Sequence, residues 1–243
     1  MAKVPTKPEE IFAEITDDFK SVFASDLISI ILYGSGASGH YIPGKSDINF
    51  LVILSERGID NLDKAISIVS RWQKQRVAIP LFMTKAEVLS SLDSYPIEFL
   101  TIKKHYVLVY GEDILGGLSF EPSHLRLQFE RELRGKILHL RTGFLEAEGK
   151  VKRIRELIQI SFTAFISIFK ALLYFQGIDI PQKRRDVIKS VAAVYPIDPV
   201  IFLKCADIKE GLDRIPTAEV QTLFKAYMKE IEKLSAFVDH MNV

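Results

Sequence analysis

The stretch Ile31-Leu32-Tyr33-Gly34-Ser35, followed after a gap of eleven residues by Asp47-Ile48-Asn49, decides the fold of this sequence. The apolar, β-branched residues of the first stretch predict a strand that ends at Gly34. Glycine and serine at the end of a strand leave backbone N–H groups and a hydroxyl free to face a phosphate. The first stretch therefore predicts a phosphate-binding turn.

A second strand is predicted from Asp47 to Leu54. Its second half, from Phe50 to Leu54, is continuously apolar, which is typical of a strand that is covered on both faces. Alternate residues of a strand point to the same face, so Asp47 and Asn49 are expected side by side. Two carboxylates at such positions would bind Mg²⁺, which bridges nucleotide phosphates and an attacking oxygen.

This order of strand, Gly-Ser, loop, Asp and strand resembles the nucleotidyltransferase superfamily that includes DNA polymerase β and kanamycin nucleotidyltransferase. The resemblance covers about residues 8–111. It implies transfer of a nucleoside monophosphate from a Mg²⁺–nucleoside triphosphate to a hydroxyl acceptor, which could be a small molecule, a protein or an RNA. The residues implied for the nucleotide are Gly34, Ser35, Lys45 and Ser46, and those implied for one or two Mg²⁺ ions and for catalysis are Asp47 and Asn49.

The sequence departs from the family pattern at two places. Asn49 stands where the family has a second acid, and an amide oxygen supplies no charge to a metal. The strand predicted at 77–83 carries no third carboxylate; Asp93 or Glu98 could supply it only if the chain folds back. Two alternatives therefore stay open, a nucleotidyltransferase and a nucleotide-binding or regulatory module without catalysis.

Strand signals stop after about residue 118, and only helical patterns follow. We predict an α+β protein with a small mixed-sheet nucleotidyltransferase-like domain over residues 1–118 and an all-α helical bundle over residues 119–243. The elements predicted for the first domain are helices over 8–24, 60–74 and 84–91 and strands over 27–33, 47–54, 77–83 and 107–110. The helices predicted for the second domain cover 122–147, 151–176, 183–194, 197–211 and 217–241.

The helical half suggests a third function. It resembles the helical partner domains of nucleotidyltransferases, including the HEPN type, and Arg134 and His139 have a spacing similar to that of HEPN ribonucleases. An HEPN-like ribonuclease is therefore a further alternative. Arg134 could also contact a phosphate or an acidic acceptor, because an arginine fork suits both.

The composition excludes several other classes of protein. An apolar content of 48% is too high for intrinsic disorder, and the single Cys205 excludes an intramolecular disulfide and a thiolate zinc site. The apolar stretch Leu157–Phe175 contains Gln159 and Lys170, which would be costly in lipid. We therefore expect a buried bundle helix, no membrane partner and a cytoplasmic location, with a homodimer left open.

Overall fold

The computed structural model of the protein describes residues 4–212 and 214–241. It divides into two compact units, which we call the sheet unit, up to Phe120, and the helical unit, from Glu121 onward. The sheet unit holds a mixed sheet with helices, whereas the described part of the helical unit holds helices. This confirms the predicted α+β fold class. The division falls after residue 120, close to the predicted domain end at 118.

The sheet unit is built on the strands β1 (Leu27–Tyr33), β2 (Asn49–Leu54), β3 (Leu81–Thr84) and β4 (Tyr106–Gly111). Their order across the sheet is β3-β2-β1-β4. The central strands β1 and β2 are antiparallel; β4 is antiparallel to β1 at one edge, and β3 is parallel to β2 at the other. Every β2 residue from Phe50 to Leu54 is buried, which confirms the prediction of a strand covered on both faces.

Over residues 4–120, five α-helices accompany the strands of the sheet unit: α1 (Phe12–Phe23), α2 (Glu56–Ile59), α3 (Ile66–Gln73), α4 (Lys85–Ser90) and α5 (Pro96–Lys104). Short 3-10 turns precede α1 at Pro8–Ile11 and α3 at Leu62–Ala65. A capping box begins α4, since the side chains of Thr84 and Glu87 each accept the other's backbone N–H.

The predicted start of the third strand was wrong. The sequence predicts a strand from Val77, but β3 begins at Leu81 and Val77 makes only an isolated parallel bridge with Ile48. Pro80 lies between these two points and has no N–H to donate to a ladder, so continuous pairing begins after it. The second strand likewise begins two positions late, at Asn49 rather than at the predicted Asp47.

Helix α5 was not predicted from the sequence. Its first residue is Pro96, which suggests a break in the chain. Proline is nevertheless tolerated in the first turn of a helix, because the N–H that it lacks would have no intrahelical acceptor there.

Two apolar cores lie on opposite faces of the sheet, as the alternation along β1 requires. Ile30 and Leu32 belong to one core, which also contains Trp72 from α3. Ile31 belongs to the other, with Phe99 from α5. All three β1 side chains are fully buried, so both faces hold the strand in register.

The helical unit consists of the helices α6 (Pro122–Glu146), α7 (Val151–Phe175), α8 (Arg184–Ala192), α9 (Pro199–Lys209) and α10 (Val220–Asp239). Each lies within a few residues of its predicted range. Helix α7 packs against the other four helices, as expected for a buried bundle helix. By length and composition alone it could also cross a membrane, and in the described chain half of its most apolar window is buried.

Cys205 lies in α9 and is fully buried. Burial raises the pKa of its thiol, because the thiolate would be formed away from water. Cys205 is therefore a core thiol whose burial disfavours the thiolate.

Candidate functional site

The predicted phosphate-binding turn begins where β1 ends. Gly34 has a φ of +73°, a conformation that favours glycine, and the following turns are closed by bonds from the N–H of Ser38 to the Gly34 carbonyl (3.0 Å) and from the N–H of His40 to the Ser35 carbonyl (3.1 Å). A Cβ at position 34 would lie 3.1 Å from Nδ2 of Asn49. Because Gly34 has no side chain, the turn can lie close to Asn49 at the start of β2.

The other end of the loop is held by Ser46. Its hydroxyl accepts the N–H of Ile42 (3.1 Å), and its own N–H donates to the Ile42 carbonyl (2.8 Å). The predicted role of Ser46 on a nucleotide stays a prediction, and its hydroxyl already closes a turn. Lys45 is exposed beside it, and its backbone carbonyl accepts a bond from Arg76.

Asp47 and Asn49 lie at the start of β2 with the buried Ile48 between them, and both side chains reach solvent. Asn49 pairs with Tyr33 across the two central strands. Its Nδ2 donates to the Asp47 carbonyl at 3.3 Å. The structure therefore brings three of the predicted site residues together: Gly34, Asp47 and Asn49.

Arg76 is a residue of this site that the sequence analysis missed. Its Nη2 lies 3.1 Å from Oδ1 of Asp47 and donates to the Lys45 carbonyl at 3.0 Å. Its backbone carbonyl accepts the N–H of Ile48 at 2.9 Å, which places the two chain segments side by side. One signal could have found it, since Arg76 directly precedes the strand predicted over 77–83, on which the family pattern places the third carboxylate.

Two features of Arg76 cost folding free energy, which suggests that the residue is kept for a function. Its φ is +65°, a left-handed conformation that non-glycine residues seldom adopt. Its Nε is buried and has no acceptor within the described residues. A buried donor without an acceptor costs free energy, and residues held in strained conformations cluster at functional sites.

The residues at this site do not fit a two-metal centre. Nowhere in the described ranges 4–212 and 214–241 do three His, Cys, Asp or Glu side chains come together as a metal site would require. The donors beside Gly34 are one carboxylate, already paired with a guanidinium, and one amide. This set cannot balance the charge of two Mg²⁺ ions, and the prediction of one or two ions at Asp47 and Asn49 stays a prediction.

The proposed third carboxylates are not part of such a cluster. Asp93 lies between α4 and α5 and accepts the Ser94 hydroxyl at 2.8 Å. Glu98 lies in the first turn of α5, where a carboxylate is favourable beside the helix N-terminus. No metal group containing either is present in the part of the chain that the structure describes.

Arg134 and His139 belong to α6 of the helical unit. Arg134 pairs with Asp239 and with Glu130, each at 3.1 Å, and these hydrogen bonds and charges raise the pKa of Arg134, the bond to Asp239 most. Five positions along an α-helix turn through about 500°, so the two side chains diverge by roughly 140°. The use of Arg134 and His139 as an HEPN-like ribonuclease pair stays a prediction.

Known proteins support the predicted resemblance. No protein-family model matches the chain. The sequence is 26% identical over 220 residues to a CCA-adding enzyme of Pyrobaculum islandicum, covering 80% of this chain and 52% of that protein. It is 24% identical over 189 residues to the CCA-adding enzyme of Pyrobaculum aerophilum, covering 69% and 44%. The chain is similar to nucleotidyltransferases. It spans about half the length of the curated relatives that it matches.

A solved structure is also similar over most of both chains. It is a spectinomycin adenyltransferase from Enterococcus faecialis with ATP and spectinomycin, at 15% identity and a TM-score of 0.49, covering 91% of this chain and 99% of that one.

Proposed function

We propose that the sheet unit binds a nucleoside triphosphate at the nucleotide loop, residues 34–46, as a nucleotidyltransferase-type module. The observation that carries this proposal is the turn at Gly34 and Ser35, which is packed against Asn49 without an intervening side chain. Backbone N–H groups at such a turn suit phosphate oxygens. The similarity to CCA-adding enzymes supports a nucleotide as the ligand.

Nucleotidyl transfer is the second candidate function, and the same similarity favours it. In that case the chain would move a nucleoside monophosphate to a hydroxyl acceptor, which is a small molecule, a protein or an RNA. Deprotonation of an acceptor hydroxyl needs a base that can reach it. Asp47 is paired with Arg76, and Asn49 is an amide and not a base, so the site favours binding without transfer.

The binding proposal is tested with the full chain by calorimetry and thermal shift with ATP, GTP, CTP and UTP. We expect at least one triphosphate to bind and raise the melting temperature, since a ligand of the folded state stabilises it. A parallel incubation with labelled triphosphates and candidate acceptors measures transfer. If no triphosphate binds or shifts the melting temperature, the proposal is wrong. RNA cleavage that is lost in His139→Ala but retained in Asp47→Ala would contradict both candidates.

Gly34→Ala should weaken triphosphate binding by about tenfold or more, which corresponds to about 1.4 kcal/mol. The new Cβ would meet Nδ2 of Asn49 at 3.1 Å and strain a φ of +73°. Gly44→Ala is the matched control, because Gly44 lies in the same loop at a φ of +72° and a Cβ there meets nothing within 4 Å. Calorimetry of both variants measures the difference. Equal losses would assign the effect to backbone strain rather than to the turn.

Asn49→Asp should create a response to Mg²⁺ that the natural chain lacks. A second carboxylate beside Asp47 completes the alternate acidic pair on β2, and we expect saturating Mg²⁺ to tighten triphosphate binding by about tenfold. Asn61→Asp is the control, since it adds the same charge elsewhere in the sheet unit. Titrations with and without Mg²⁺ measure the response. If Mg²⁺ does not change the triphosphate affinity of Asn49→Asp, residue 49 does not face the metal position.

A further inference from the structure

We propose that Arg76 takes the role that a metal ion has in metal-dependent sites, so that this site binds the phosphates of a nucleoside triphosphate through a guanidinium and without a divalent cation. This inference rests on the nucleotide site proposed above and names how that site holds its ligand. Two observations lead to it. The donors at Asp47 and Asn49 do not fit two Mg²⁺ ions, and the guanidinium of Arg76 already lies beside Asp47.

Position is the first argument. In a metal-dependent site the ion would sit against the carboxylate at the start of β2, and here Nη2 of Arg76 lies 3.1 Å from Oδ1 of Asp47. The parallel bridge between Ile48 and Val77 holds the two segments together, so the cation is fixed by backbone pairing rather than by a mobile side chain alone. Arg76 is thus built into the edge of the predicted phosphate site.

Bonding capacity is the second argument. A guanidinium has five N–H donors in a planar fork that matches phosphate oxygens. The contacts to Lys45 and Asp47 both use Nη2, while the buried Nε has no acceptor among the described residues. The side chain is 39% exposed while Nε is buried, so a ligand would approach the guanidinium from its terminal nitrogens. Phosphate oxygens are strong acceptors that would satisfy such a fork bidentately.

Charge is the third argument. Three carboxylates would repel a triphosphate unless metal ions intervened, whereas the carboxylate beside the turn, Asp47, is paired with Arg76, and Lys45 is exposed nearby. Glu10 acts on Tyr41 of the same loop together with Arg76 and Asp47, so the protein's own cations offset the carboxylates here without any metal. Asp47 then acts as a competitor of the phosphate for Arg76, and this reverses the expected effect of removing its charge.

The side chain can be removed with little risk to folding. Arg76→Gly suits the φ of +65°, which glycine adopts freely. Arg57→Gln is the matched control, since Arg57 forms a comparable ion pair with Asp26 (2.9 Å) and follows the other end of β2. Asp47→Asn keeps the shape of the side chain and removes only its charge.

The test is calorimetry of the full chain with ATP, GTP, CTP and UTP, in EDTA and in saturating Mg²⁺, with unfolding curves as a folding control. We expect the natural chain to bind equally, within about threefold, in both conditions. Arg76→Gly should weaken binding in EDTA by about tenfold or more, Asp47→Asn should tighten it, and Arg57→Gln should leave it unchanged. Binding that requires Mg²⁺ and is weakened by Asp47→Asn overturns this inference and leaves the proposed function standing. A chain that binds no triphosphate in either condition overturns both.

Discussion

Replacing Gly111 with alanine should destabilise the sheet unit by about 3 kcal/mol or more, or prevent it from folding. A Cβ at this position would lie 1.9 Å from the carbonyl oxygen of Ile28, and the residue has a φ of +84°. The obstacle is backbone of β1, which cannot rotate away as a side chain can. Gly111 also pairs with Ser29, whose buried hydroxyl donates to the carbonyl of Glu112 at 2.8 Å.

Urea unfolding of Gly111→Ala measures the loss, and Gly39→Ala is the matched control. Gly39 has a similar φ of +76°, but a Cβ there meets nothing within 4 Å. Its replacement should therefore cost only about 1 kcal/mol, from backbone strain alone. Equal losses in the two variants would contradict the claim that β4 must approach β1 this closely.

Trp72→Ala should lower the free energy of unfolding of the sheet unit by about 3–5 kcal/mol. The ring is almost fully buried in the core that also contains Ile30 and Leu32, and its Nε1 donates to Oδ2 of Asp18 at 2.8 Å. The backbone carbonyl of Trp72 accepts the N–H of Val77 at 3.2 Å, so the same residue holds the turn that presents Arg76. We therefore expect triphosphate binding to weaken together with stability.

Two further variants separate the contributions at this position. Trp72→Phe keeps most of the buried ring and removes the donor, and Asp18 retains Arg71 as a partner; we expect a loss of about 1–2 kcal/mol. Ile66→Ala on the same helix removes an exposed side chain and should change stability by less than about 0.5 kcal/mol. If Trp72→Ala and Ile66→Ala lower the free energy of unfolding by the same small amount, the Trp72 ring does not pack in the core on this face of the sheet.

Much of the sheet unit could be predicted from the sequence because its signals are local. The run from Leu27 to Tyr33 is apolar and β-branched, and its end at Gly34 was recognised from residue type alone. The order of strand, turn, acid and strand then supported the similarity to nucleotidyltransferases that the CCA-adding enzymes confirm. The roles of Ser35, Lys45 and Asp47 on a nucleotide stay predictions.

The elements that escaped prediction are those whose signal depends on context. Pro80 and Pro96 are the same residue type, yet one delays a strand and the other begins a helix. A proline restricts φ and removes a donor in both cases, and only the neighbouring chain decides whether that donor was needed. Each proline therefore marked a boundary between elements, but its residue type alone did not tell whether a strand or a helix begins there.

The sequence by itself determined the strands that flank the nucleotide loop, the single carboxylate at Asp47 and the amide at Asn49, because each depends on residue type and nearest neighbours. Only the tertiary structure decided which charge meets that carboxylate. Arg76 reaches Asp47 through a parallel bridge and a left-handed turn, which arise from register and packing rather than from local pattern. A carboxylate that the sequence indicates as a metal ligand therefore lies, in the folded chain, beside a cation of the protein's own.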